Sequence, residues 1–300
     1  MFKRGKSEEE KSYTNKPTPK IWLNQEAAHS DPLSLKYTPT SLLDSKLTKN
    51  YITVELRLAP ILDYCSGIWG FSRSLNIESV QHRALRYFLG VHRFTPILSL
   101  QGESGWVPAY CRHQLNAIRF WNRLITMSDD RLTKKVFVWD KEQSNRSNWS
   151  NNMKRLFDSL DLADVYDNCA IYDLAQVESR IYRNFVNTWH EDLQNISKLR
   201  TYRVIKHDFQ TEPYIIMDLP KPERSVMAML RCGILPLRIE TGRYSGEPVE
   251  ERICNFCDKN DVEDERHFIF HCSLYETIRN NFLVKIESQN ISTFDDNFFS

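Results

Sequence analysis

Glycine is scarce in this sequence, with 9 residues in 300. Tight hairpins and bulges rely on glycine for positive φ, so this shortage weighs against a turn-rich β architecture. Net charge is nearly absent as well, at +1. The whole-chain balance neither demands nor excludes nucleic acid, and any electrostatic argument must come from local patches. No apolar run approaches the length of a membrane span, so no membrane association is expected. The opening stretch MFKRGKSEEEK contains no apolar leader core, which predicts an intracellular protein, nuclear or cytoplasmic. No Gly-x-Ser-x-Gly elbow and no Gly-x4-Gly-Lys-Ser/Thr phosphate loop occurs. Independent enzymatic activity is not expected.

What is present is enough for a core. Hydrophobic residues make up 41% and aromatics 12%. Large apolar side chains with few glycines favour helices. The expected fold class is mainly α: a helical array with a small C-terminal zinc-binding subdomain. Composition divides the chain into a flexible, polar segment at 1–45, a helical region at 46–143, a helical middle at 144–222, and a cysteine-bearing tail at 223–300.

Periodicity places the helices. One at 46–58 is expected to end at Pro60. Residues 60–71 read as a buried turn region. A helix at 75–89 is expected to turn Ile77, Val80, Ala84, Tyr87 and Phe88 inward, with Gln81, Arg83 and Arg86 off that stripe, and to stop at Gly90. A short helix or turn follows at 95–102. The next helix, 108–127, carries Leu115, Ile118, Trp121, Leu124 and Ile125 on one face. Helices at 131–142 and 149–160 precede a long one at 171–195, with Leu174, Val177, Ile181, Phe185, Trp189 and Leu193 recurring. Tyr214 to Met217 reads as a short strand. A helix at 222–232 closes at Gly233.

Cysteine chemistry is concentrated at one place. The total of seven is odd, which with no leader argues against a disulfide framework. Cys65, Cys111, Cys169 and Cys232 are scattered singly. From Cys254 the chain reads CNFCDKNDVEDERHFIFHC. Two thiolates two residues apart reach one ion from a tight turn, and a histidine and a cysteine about one helical turn apart complete a set. Cys254, Cys257, His267 and Cys272 are therefore the expected ligands of a structural Zn2+, with His271 as an alternative to Cys272. Four protein ligands leave no position for a reactive water. The acidic loop Asp258–Glu265 is expected to be solvated, and Phe268, Ile269 and Phe270 to pack beneath the metal.

Several short blocks carry a resemblance. Pro60-Ile61-Leu62-Asp63-Tyr64 runs on to Trp69-Gly70. Then come Gln81-x2-Ala84-Leu85-Arg86, Leu89-Gly90 and Glu103-x-Gly105-x2-Pro108. This order resembles the thumb-side region behind the polymerase of non-LTR (LINE-type) retrotransposon polyproteins. Leu237 to Tyr244, Glu250-Glu251-Arg252, Asp264-Glu265-x-His267-Phe268 and Cys272-x2-Tyr275 resemble the zinc-knuckle tail of the same polyproteins. Together the blocks span about 50–128 and 224–283. The resemblance implies a role in reverse transcription, with RNA or target DNA and a reverse-transcriptase catalytic region as partners. The family's polymerase holds two divalent ions on paired aspartates of a β-hairpin. The adjacent pairs here, Asp129-Asp130 and Asp295-Asp296, do not lie between apolar strand segments.

Local charge agrees with a nucleic-acid role. Between Phe71 and Lys135, ten Lys and Arg stand against four Asp and Glu. Arg83, Arg86, Arg112, Arg119 and Arg123, on helices beside aromatics, are the expected phosphate contacts. A solvated basic face, a protein-interaction module with the zinc purely structural, or an inert gene-model fragment is the alternative.

Overall fold

The computed structural model describes residues 57–143 and 147–288. The expected flexible segment 1–45, residues 46–56 of the helix expected at 46–58, and the pair Asp295-Asp296 lie outside them. Among the described residues the fold is mainly α. The one β feature there is an isolated antiparallel bridge between Ile253 and Val262.

A helix at 57–62, α1, runs through Pro60 instead of ending there, and Asp63 N–H closes its last turn on the Ala59 carbonyl. Proline removes only its own N–H, so the donors that follow it still find acceptors. The next segment folds as α2 (Ser66–Trp69). It is not the buried turn the sequence implied. Ile61, Tyr64 and Ile68 are exposed, and burial falls on Ser66 and Gly70, which meet the later helix α5 (Ala109–Thr126).

The helix α3 (Leu75–Leu89) has the expected bounds, and Gly90 terminates it at φ 70 while donating to the Arg86 carbonyl. Its inward face differs from the one the periodicity proposed. Glu78, Gln81, His82, Leu85, Phe88 and Leu89 are buried, while Tyr87 is 78% exposed. Gln81 explains the reversal. Its amide donates to the Val107 carbonyl and accepts from Ala109 N–H. It thereby satisfies the backbone at the start of α5, where Pro108 begins the helix and supplies no donor. A buried polar side chain with both halves paired is invisible to a hydrophobic stripe.

Helix α4 (Ile97–Ser104) passes under α9 (Leu174–Gln194) at Gly102. Any Cβ at this position would stand 2.5 Å from the Trp189 ring and against the Tyr202 hydroxyl. Helix α5 buries Leu115, Ile118, Trp121 and Leu124 as expected. Trp121 is the hub of an aromatic cluster, with ring centroids of Phe157, Tyr166 and Phe137 5.2, 5.3 and 5.4 Å away. These partners arrive on α6 (Leu132–Glu142), α7 (Trp149–Ser159) and α8 (Ala163–Asp167). Helix α9 buries five of its six expected residues, while Leu174, in its first turn, is half-buried.

After α10 (Arg200–Ile205), the segment read as a strand is the short helix α11 (Pro213–Ile216). Pro213 sits in its first turn, where a missing N–H costs nothing. Tyr214 and Ile215 then join Leu85, Phe88, Leu89, Leu100, Trp106 and Ala228 in one core. Ala228 belongs to α12 (Lys221–Arg231), which is followed by Gly233 at φ 62, as expected. Across this core the buried Glu103 accepts from the Tyr214 hydroxyl at 2.6 Å and from Arg231 at 2.8 Å. The tail contains α13 (Arg238–Tyr244), the cysteine-bearing loop and α14 (Glu276–Ser288). No helix among the described residues is long and apolar enough to cross a membrane.

Candidate metal centre

The loop that carries the first two cysteines is built by backbone pairing. Ile253 bridges Val262, and Cys254 N–H donates to the Asp261 carbonyl at 2.9 Å. The chain between them turns tightly, with Asn260 at φ 55, a conformation asparagine tolerates better than most side chains. Phe256 N–H points at the Cys254 sulfur, 3.4 Å away.

The second pair comes from a different device. Asp264 accepts from His267 N–H at 2.7 Å, which caps the start of the next turn. Residues His267–His271 then form a π-helical turn, and Cys272 N–H closes it on the His267 carbonyl at 2.8 Å. A bond to the fifth residue makes a wide turn. It brings the side chains at the two ends of the His-x4-Cys spacing to one point.

The four side chains meet. One ligand atom each from Cys254, Cys257, His267 and Cys272 lies within 4.8 Å of all the others. Cys254 Sγ is 3.9 Å from Cys272 Sγ, and Cys257 Sγ is 3.3 Å from His267 Nε2. A tetrahedral ion with bonds of about 2.3 Å to sulfur and about 2.0 Å to nitrogen sets edges of roughly 3.8 Å for S···S and 3.5 Å for S···N. The residues present fit such an ion and could hold one. Cys272 occupies the fourth corner, and His271 is outside the set.

Cys254, His267 and Cys272 are buried, and Cys257 is half-buried. Burial pushes the Cys254 thiol up to about 12, whereas the Lys259 N–H lowers that of Cys257. A cation would supply the charge that holds Cys254 as thiolate. His267 Nδ1, turned away from the sulfurs, lies 3.7 Å from the Asp261 carboxylate. That is where a carboxylate orients a ligating imidazole once the ring tightens.

The acidic loop is not simply solvated, which corrects the expectation. Asp258 and Asp261 face solvent, but Glu263 and Glu265 are buried. Glu263 accepts from Arg238 N–H at 2.9 Å and faces the Cys254 sulfur at 3.8 Å. Glu265 takes both its oxygens to Arg200, at 2.8 and 3.0 Å, and accepts from Thr201 at 2.9 Å. Arg252 holds the Glu247 and Ile239 carbonyls. The metal loop is thus bolted to α10 and α13 by side chains that sequence reasoning had assigned to water. Nothing local in the sequence marks them, because their partners Arg200 and Arg238 lie 65 and 25 residues away. Phe268, Ile269 and Phe270 are half-buried, and Phe268 meets Tyr275 edge-on at 4.8 Å.

The five arginines do not form one surface of uniform kind. Arg83 and Arg123 are exposed. Arg112 grips Asp63 with two nitrogens, at 2.9 and 3.3 Å. Asp63 also meets His113 at 2.9 Å; burial raises its pKa, but these partners prevail and hold it below the usual carboxylate range. Arg86 donates to the Thr95 carbonyl at 3.2 Å, and Arg119 bonds Asn116. Asp129 and Asp130 are exposed in the turn before α6, remote from any strand pair. No known family model matches the chain, and neither a curated protein nor a solved structure is significantly similar to it.

Proposed function

We propose that this chain is a non-catalytic nucleic-acid-binding protein in which Zn2+, held by Cys254, Cys257, His267 and Cys272, fastens a C-terminal tail to a helical array. The gathered four-ligand set is the observation that carries the structural half of this reading. Its thiolate-rich donors favour zinc over harder cations, and its closed coordination favours a structural ion. The nucleic-acid half draws support from the local basic excess, from the exposed Arg83 and Arg123, and from the resemblance to the tail of LINE-type retrotransposon polyproteins. On that resemblance the chain would work inside the cell, beside a reverse-transcriptase catalytic region that supplies the chemistry.

The test is a titration of the purified chain against structured RNA and duplex DNA at several salt concentrations, with and without a zinc chelator. Phosphate contacts release counterions, so affinity should fall steeply with salt, with a log–log slope of about −0.9 for each duplex phosphate engaged. Salt-independent or absent binding refutes the nucleic-acid reading. A second reading, a zinc-stabilised protein-interaction module, is favoured by one feature. Leu132, Val136 and Trp139 recur along the outer face of α6 and are 76%, 54% and 61% exposed. In that case the chain retains partners in high salt.

A further inference from the structure

An exposed aromatic surface lies at the end of α3, and its two rings were not among the expected contacts. Tyr87 is 78% exposed and Phe94 60% exposed. Both carry a cation: Lys221 Nζ stands 4.2 Å from the Tyr87 ring centre and the Arg93 guanidinium 4.6 Å from that of Phe94. A single exposed ring is ordinary, but two exposed rings that each carry a cation make a defined surface. They are also close to each other along the fold. Gly90 turns the chain at the end of α3, and Arg86 binds the Thr95 carbonyl, which draws the 92–95 turn back against the last turn of that helix. Ser225 of α12 donates to the Gly90 carbonyl at 2.7 Å, which fixes the Lys221 end of α12 beside the same turn. Arg83 lies one helical turn before Tyr87 on the exposed side of α3.

Charge in this stretch is one-sided. From Ser79 to Gly102 the sequence contains three arginines and two histidines and no Asp or Glu. The exposed acids of the neighbouring segment are Asp218 and Glu223. Exposed rings, each with a cation over one face, match a chain of stacked bases joined by phosphates: bases stack on the rings while the cations track the backbone. Duplex DNA offers no free base face and would use only the cations.

We infer that Tyr87 and Phe94, with Arg83, Arg93 and Lys221, form a stacking platform for single-stranded nucleic acid, without base preference. This rests on the nucleic-acid reading above and adds the strand type and the residues. The test is fluorescence anisotropy of the full chain with labelled oligo-dT, oligo-U and a duplex of equal length. The double variant Tyr87→Ala/Phe94→Ala should lose at least about 30-fold in affinity for the single strands. Its salt slope should stay that of the wild type, since no charge is removed, and duplex binding should change little. Arg83→Gln/Arg93→Gln should instead flatten the salt slope. Tyr87→Phe should retain binding. Both rings are exposed, so the circular dichroism of the variants should match the wild type. Should the alanine pair misfold, Tyr87→Leu/Phe94→Leu keeps the apolar bulk without the ring face and should show the same loss. Comparing the dT and U arms tells DNA from RNA. Wild-type affinity in the ring variants overturns the platform and leaves the broader reading standing. No wild-type binding to any probe overturns both.

Discussion

Glu265 touches no ligand atom, yet replacing it should loosen the metal. Glu265→Ala removes three hydrogen bonds, two of them to the Arg200 guanidinium at 2.8 and 3.0 Å and one to Thr201 at 2.9 Å. All three reach the charged carboxylate, and each such bond is worth about 1.5–3 kcal/mol. The gross loss of roughly 4.5–9 kcal/mol overstates the effect. Arg200 is 30% exposed and keeps Glu240 at 3.3 Å, so its charge can rehydrate instead of staying buried and unpaired. A net cost of about 2–3 kcal/mol is the reasonable figure. Glu265 lies two residues before His267, and the folding of a metal loop and metal binding share one free energy. The zinc affinity measured against a chromophoric chelator should therefore fall by about 30–150-fold. The aromatic cluster around Trp121, which Glu265 does not touch, should melt as before. Affinity within threefold of wild type would sink the argument that α10 preorganises the loop.

Three further outcomes follow from the same contacts. Cys254→Ser should make the tail after α13 protease-sensitive with or without zinc and leave the α5–α9 core resistant, so a mutant tail that resists protease in chelator refutes a structural metal. Gly102→Ala should cost about 1–3 kcal/mol in urea melts, because the added methyl meets the Trp189 ring at 2.5 Å. His82 is buried, and burial, then the charges of Arg86 and Arg73, lowers its pKa to about 4. The unfolded chain takes up this proton near pH 6.5 and the folded chain does not. Stability from this group is complete above about pH 6.5 and declines as pH falls toward 4, by roughly 3 kcal/mol. His82→Leu should flatten the urea midpoint over that interval, and an unchanged slope would show that His82 is not its source.

Much of the fold was legible because apolar residues recur at helical spacing wherever a helix packs against another. Helices α5 and α9 follow that rule over most of their lengths, with only Ile125 and Leu174 of the expected stripes half-buried. Helix α3 does not, since its buried side includes Gln81, Glu78 and His82, polar groups whose partners lie far away in sequence. Gln81 pairs 26 and 28 residues on, and no local pattern reports that. The strand expected at Tyr214 failed for a related reason. β-Branched and aromatic residues there serve a mixed core, and Pro213 starts a helical turn. The ligand set was readable because metal coordination needs few residues at fixed spacing. Its buttresses were not, because Glu263 and Glu265 look like any solvated acid until Arg200 and Arg238 N–H come to meet them. The exposed rings of Tyr87 and Phe94 escaped notice because large aromatics are read as core by default.

The first core has a consequence for synthesis on the ribosome. Phe88 and Leu100 are covered by Ile215 and Ala228, and the Phe88 carbonyl is capped by Arg224, 136 residues later. At about 5–20 residues per second, the early helices emerge roughly 10–30 s before the segment that closes over them. During that interval their apolar side chains face solvent or a chaperone. A chain stopped anywhere before α12 is left with an open hydrophobic face, so fragments ending between α6 and α12 should be recovered mainly as aggregates.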